Sequence, residues 1–352
     1  MKIKNKLSIS LLLIVIFTVT FTQFAFAGSE ATCIFLLIEP GSRPNGLGHS
    51  YVSIAEGGFA SWWNPGGIAF QDNSELGLMH SNWFGDIIDD MYYEYLGYSQ
   101  YFEGVGTVGL NITYMTYGEQ EAYDAEGNPL RNFTSYEIAV GGSYGTKLND
   151  ELGVGINLKG VISGLAPLIP ELMDAEGTGY TFVVDLGLLK KNFFIPKLDF
   201  GVNIQNFGPD MSYANSESKQ PMPLNLKLGF SYRILDDKYN KLTVTGDINK
   251  MMVNNDPLWK RIFTSWGDDG FKNELDSMIE NVGVEYKYYN LISLRVGYVN
   301  DVAGHIQGVS FGGGISYEFS KGKDLYFDFA LQPGGELLDG GKNKTFSLGF
   351  TF

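Results

Sequence analysis

Apolar and polar residues alternate with a period of two along most of this chain, and the charges keep to one phase. Leu224, Leu226, Leu228 and Phe230 alternate with Asn225, Lys227, Gly229 and Ser231, and Leu198, Phe200, Val202 and Ile204 with Asp199, Gly201, Asn203 and Gln205. Leu152, Val154, Ile156 and Leu158 oppose Glu151, Gly153, Gly155 and Asn157. Lys159, Asp185, Asp199, Lys227, Asp247, Glu285, Lys287, Arg295, Glu318 and Asp328 all fall on the polar phase. Successive strand side chains point to opposite faces, and a charge facing lipid at mid-membrane costs about 2–4 kcal/mol. The pattern therefore predicts an all-β transmembrane antiparallel barrel with the charges in its lumen.

Segments of this kind number about 14: 75–83, 91–101, 105–116, 133–145, 151–163, 180–190, 197–206, 223–233, 240–250, 279–288, 291–299, 308–319, 323–332 and 343–352, the second being the least regular. Tyr289-Asn290 and Ser320-Lys321-Gly322 are short connections, whereas 117–132, 164–179, 207–222 and 251–278 are long. Outer-membrane barrels have short periplasmic turns and long outside loops, which places both chain ends in the periplasm. The last strand ends on Phe350-Thr351-Phe352, an aromatic finish of the kind read as a signal by the barrel assembly machinery.

Composition agrees. The chain has 21 Tyr, 25 Phe and 45 Gly, as expected when every strand meets lipid on one face. Its net charge of -15 argues against nucleic acid, which calls for a basic footprint. The single cysteine, Cys33, allows no internal disulfide and no zinc cluster. At the N-terminus, Lys2, Lys4 and Lys6, an apolar run from Ile9 to Phe17 and Ala25-Phe26-Ala27 read as a secretory signal peptide over 1–27 with cleavage near Ala27. The expected organisation is then a plug or hatch over 28–73 and a barrel over 74–352 in the cell outer membrane.

The plug is inferred because Thr32 to Phe70 breaks the strand rhythm. It holds Pro40, a Gly-rich stretch from Gly41 to Gly48, and Trp62-Trp63-Asn64-Pro65-Gly66-Gly67. Proline ends regular structure and glycine permits close backbone approach, so the segment reads as irregular chain packed inside the lumen. An open pore is not expected of such a lumen. Arg43 is expected to fix the plug by pairing with a luminal carboxylate, Asp185, Asp199 or Glu318 among the candidates, because a guanidinium matches carboxylate geometry.

These residues also carry a resemblance. Phe35-Leu36-Leu37-Ile38-Glu39-Pro40-Gly41-Ser42-Arg43, then Gly46-Leu47-Gly48 and Trp63-Asn64-Pro65 ahead of Ile68-Ala69-Phe70, resemble the N-terminal signature of the PorV/PorQ family. Pro221-Met222-Pro223-Leu224-Asn225-Leu226-Lys227-Leu228-Gly229 resembles another of its recurring stretches. The resemblance implies a 14-stranded barrel similar to the long-chain fatty-acid transporter fold. It also implies a non-enzymatic part in type IX protein secretion, as a shuttle that engages a large translocon barrel and binds the C-terminal signal domains of secreted cargo. The alternative is an outer-membrane transporter of hydrophobic small molecules, as the wider fold provides.

Other chemistry has little to build on. His49 falls in the plug, His80 near the end of the first strand and His305 in a loop, none beside a serine in a hydrolase motif, so neither catalysis nor a cofactor nor a metal is expected. Asp124-Ala125-Glu126-Gly127 and Asp174-Ala175-Glu176-Gly177 repeat one acidic tetrapeptide but lack the further ligands of a calcium loop, and read as turns. Trp83, Tyr92, Tyr93 and Tyr101 suit an interfacial girdle. Trp259, Phe263, Trp266 and Phe271, on the long 251–278 loop, are candidates for a docking surface or for a cover folded over the barrel mouth.

Overall fold

A computed structural model describes residues 31–352 except 86, 125, 167–176, 214–218, 255, 268–270 and 336–340; the signal-peptide reading lies outside the described residues. Fourteen antiparallel strands close into one barrel. They are β1 (Glu75–Asn82), β2 (Met91–Phe102), β3 (Gly106–Tyr123), β4 (Pro129–Asn149), β5 (Leu152–Ala166), β6 (Gly177–Lys190) and β7 (Leu198–Phe207), then β8 (Asn225–Asp236), β9 (Asn240–Met251), β10 (Met278–Tyr288), β11 (Ile292–Asp301), β12 (Ile306–Ser320), β13 (Lys323–Pro333) and β14 (Lys342–Thr351). Each strand pairs with its neighbours in sequence, and β1 closes on β14. Closure removes every free strand edge, the condition for a sheet to cross hydrocarbon.

The alternation sorts the side chains as expected. Leu158, Phe182, Leu294 and Ile315 stand exposed on the outer phase, while Lys159, Asp185, Lys227, Asp247, Glu285, Arg295 and Asp328 are buried inside. Among the register shifts in the wall, one falls between β6 and β7, at Val184 and Leu186. Asn206 there adopts φ +62°, its N–H donates to Asp185 at 2.8 Å, and Lys159 Nζ bonds both Asp185 (2.8 Å) and Asn206 Oδ1 (2.6 Å). A buried bulge is thus held by a satisfied ion pair.

Two expectations change. The 117–132 segment is mostly strand: β3 and β4 continue past the belt as a hairpin pairing Glu119 with Thr134 and Glu121 with Asn132, and only the tip turns. Outside lipid no phase need be apolar, so the ladder goes on without the alternation that marks it below. Tyr93, assigned to the outer girdle, is fully buried on the luminal phase, and its hydroxyl donates to the Ile38 carbonyl.

Candidate functional site

The lumen is occupied by residues 31–73. Proline and glycine keep its pieces short: one turn at Ile34–Leu37, α1 (Ser42–Gly46), a turn at Gly57–Phe59, α2 (Ala60–Trp63) and a last turn at Gly67–Phe70. The plug coheres around two fully buried indoles, Trp62 and Trp63, packed edge to face at 5.0 Å. Trp63 Nε1 donates to the Pro40 carbonyl at 2.7 Å. Asn64 Nδ2 donates to the carbonyls of Val52 and of Leu188 in β6, each at 2.9 Å, while its Oδ1 accepts from Gly66 N. Trp63, Asn64 and Pro40 therefore hold one arrangement together although 23 residues separate the first from the last.

Charged ties fasten the plug to the wall. Arg43 in α1 clasps Glu285 of β10 with Nε at 2.8 Å and Nη2 at 2.9 Å, and its other face meets Glu56 and Tyr51. Its partner is thus Glu285, and not Asp185, Asp199 or Glu318. Arg295 of β11 bonds the same Glu285 at 2.7 Å and Asp328 of β13 at 2.5 Å, extending the network over three strands. Two strands from β10, Lys227 of β8 pairs with Glu39 and stands over the Trp62 and Trp63 rings at 4.9 and 4.6 Å. Glu39 also pairs with His49 Nδ1, whose Nε2 donates to Gln332 of β13 at 2.7 Å. Burial alone would raise the Glu39 carboxyl, but Lys227 and then His49 outweigh it and hold it down at about 2. Burial would likewise lower His49, yet Glu39 and the Gln332 bond raise it, and both ring nitrogens face side-chain oxygens.

Further hydrogen bonds complete the seat. Asp247 of β9 accepts the N–H groups of Tyr51 (2.7 Å) and Val52 (2.9 Å), and Gln205 of β7 donates to the Trp62 carbonyl at 2.7 Å. Ser42 N donates to Ser347 of β14, and Ser61 shares a hydrogen with Ser143 of β4. At several places where plug backbone touches the wall, one partner or both are glycine. A Cβ on Gly155 would lie 2.1 Å from the Pro65 oxygen, and one on Gly46 would lie 2.8 Å from Gly312 Cα. Gly48 has φ +62° and presses on Gly297 and Tyr298.

At the short-turn end a cavity of about 810 Å³ opens over this seat, lined by charged groups that include Lys191, Lys241, Asp236 and Asp324. Toward the long loops the lumen fills with apolar and sulfur-bearing side chains: Cys33, Met91, Met115, Val161, Met211 and Met222. Burial pushes the Cys33 thiol up to about 12, which leaves it a neutral packing group 3.6 Å from Met211 Sδ.

The structure thus brings Pro40, Arg43, Gly46, Gly48, Trp63, Asn64 and Pro65 into one plug. It separates them from the other sequence candidates. Phe352 pairs with Ser74 through both backbone groups and stacks on Phe350 at 5.1 Å, beside the β1–β14 closure. Trp259, Phe263 and Trp266 are exposed on and beside α3 (Leu258–Thr264), and the side chain of Phe271, which begins α4 (Phe271–Asp276), lies outside what is described. Asp124 spends its carboxylate on the N–H groups of Glu126 and Asn128, forming an ordinary turn; the second tetrapeptide lies largely outside the described residues. Glu39, His49, Glu56 and Gln332 were not legible as plug ties, because nothing local in the sequence marks which polar residues meet across the lumen.

The family described as type IX secretion system protein PorV matches residues 28–258, more than half of the chain, and the chain belongs to that family. No curated relative matches it in sequence. Among solved structures it is similar to the Pseudomonas putida toluene transporter TodX, at 15% identity over 89% of this chain and 96% of that one, with a TM-score of 0.54. It is also similar to the CymD monoaromatic hydrocarbon channel, at 13% identity over 90% and 97% with a TM-score of 0.53. The Ralstonia pickettii toluene transporter TbuX follows at 13% identity over 89% and 97%, with a TM-score of 0.50. At these identities the likeness is one of fold, that of an outer-membrane barrel.

Proposed function

We propose that this PorV-family barrel is a non-enzymatic docking and shuttle component of type IX secretion. It engages a large translocon barrel in the outer membrane, holds secreted proteins by their C-terminal signal domains and passes them on at the cell surface. The observation that carries this reading, beside the family match, is the filled lumen. Residues 31–73 are bonded to strands all around the barrel and bury two tryptophans in its lumen, an arrangement suited to a rigid docking body and unsuited to diffusion. The same reading takes the first 27 residues as a signal peptide cleaved near Ala27, and Phe350 and Phe352 as the signal for the assembly machinery.

A second reading, transport of hydrophobic small molecules, draws on the fold shared with toluene transporters. The charged lining of the short-turn cavity speaks against it, since an apolar ligand entering there would desolvate ion-paired groups for no return. Deleting the gene separates the two. The shuttle reading expects secreted proteins that share a C-terminal β domain to be missing from the cell surface. Unchanged secretion together with impaired uptake of fatty acids or aromatic hydrocarbons would replace it with the transporter.

A further inference from the structure

Lys250 breaks the rule that charges keep to the luminal phase. On β9 the luminal residues are Thr245, Asp247 and Asn249, whereas Val244 and Ile248 face outward and stand exposed. Lys250 shares their outward phase, yet it is 5% exposed. It is covered by the segment between β9 and β10. Its Nζ pairs with Glu274 of α4 at 2.5 Å, bonds Ser277 Oγ at 3.0 Å, and lies 5.8 Å from the Trp266 ring. This part of the segment therefore folds down the outer flank of the wall, one outward position above the lipid-facing Ile248, and not over the barrel mouth.

The level it occupies is marked on the neighbouring strands. Ile248 pairs with Glu280, Glu280 with Asn300, and Asn300 with Gln307. The last three form an outward-facing polar ladder, with Asn300 Nδ2 donating to Glu280 at 2.6 Å and Gln307 Nε2 to Asn300 at 2.5 Å. Below that ladder the outward residues turn apolar, with Val282 and Tyr298 exposed. A change from apolar to polar on the outer phase is the boundary between acyl chains and headgroups. Helix α3 is tied to the segment that follows β7 by Arg261, which is buried and clasps Asp210 with Nη1 at 2.8 Å and Nη2 at 3.1 Å. At 100° per residue, Trp259 and Phe263 lie on the face opposite Arg261; they are 63% and 75% exposed, and Trp266, two residues past the helix, is 44% exposed.

We infer that Trp259, Phe263 and Trp266 form an interfacial anchor seated in the lipid of the outer leaflet, continuous with the barrel's lipid-facing belt. Indole and phenyl rings beside Lys260 suit this depth, where one end of the side chain meets acyl chains and the other headgroups. A protein partner on the same stripe is the competing occupant.

The test uses the whole protein folded into phosphatidylcholine vesicles whose acyl chains carry bromine, a short-range quencher of indole fluorescence. Wild type is compared with the Trp259→Phe/Trp266→Phe variant, and the difference spectrum isolates the two exposed indoles from Trp62, Trp63 and Trp83. Unchanged gel mobility of unheated samples certifies that the variant is folded. The difference spectrum is expected to lose most of its intensity in brominated vesicles relative to unbrominated ones. Equal intensity in both vesicles would overturn the assignment, and the stripe would then be free for a protein.

Discussion

Gly48 of the plug and Gly297 of β11 lie backbone against backbone: a Cβ on Gly297 would sit 2.1 Å from Gly48 N. A Cβ on Gly48 would in turn sit 2.5 Å from Tyr298 N, so no side chain fits on either side of this contact. The plug is therefore part of the folded wall and not a loose stopper.

Substituting Gly297→Val should lift the plug off its seat. Overpacking of this kind costs about 1–3 kcal/mol, and here neither backbone can rotate away. A lowered unfolding temperature in detergent, together with new trypsin cleavage within residues 31–73 of the folded barrel, would bear this out. Unchanged protease resistance would contradict it.

Arg43→Ala removes two hydrogen bonds to a buried carboxylate. Bonds to charged groups contribute about 1.5–3 kcal/mol each, so the two together set about 3–6 kcal/mol, and the loss should fall toward the low end because Glu285 keeps Arg295 at 2.7 Å. Equilibrium unfolding of refolded protein measures it. Adding Arg295→Ala should then cost more than the two single losses combined, since the second removal leaves Glu285 short of a compact partner. Strict additivity would mean the network does not act as a unit.

The Glu39–His49 pair predicts a pH window. The Glu39 carboxyl is depressed, to about 2 from 4.5, so its contribution is in full above about 4.5 and is lost as pH falls toward 2. His49 is raised above 6.5, so its contribution is in full below 6.5 and is lost as pH rises through its folded value. The unfolding temperature of wild type should exceed that of His49→Gln most between about pH 4.5 and 6.5, with the gap closing under alkaline conditions. A gap constant to pH 9 would show that the imidazole serves only as a neutral bond.

Phe352 stacks on Phe350 at 5.1 Å and on Tyr98 at 6.4 Å, with 43% of its surface exposed. Phe352→Ala therefore removes little packing and should barely change the stability of barrel already assembled. If the residue is read during assembly, the amount of folded barrel in outer-membrane fractions should fall severalfold. Normal yield would remove it from the assembly signal.

The barrel was legible because lipid imposes a two-residue period on each strand and forbids charge on one phase, and Lys227, Asp247 and Glu285 obeyed it. Where lipid stops, so does the signal: Glu119 and Glu121 belong to β3 but look like loop. The irregularity of β2 has the opposite cause. Met91, Tyr93 and Tyr95 are apolar on the luminal phase because they pack on the plug, which erases the alternation. The plug residues Arg43, Trp63 and Asn64 were recognisable from their pattern, but their partners were not. Glu285 lies 242 residues from Arg43, and only the closed barrel brings the two together.

The central claim, docking and shuttling in secretion, is tested most directly by affinity purification of the tagged protein from native outer membranes in mild detergent, followed by mass spectrometry. The account predicts co-purification of a very large barrel subunit and of secreted proteins that share a C-terminal β domain. Recovery of the barrel alone, carrying bound fatty acid or other lipid, would contradict it.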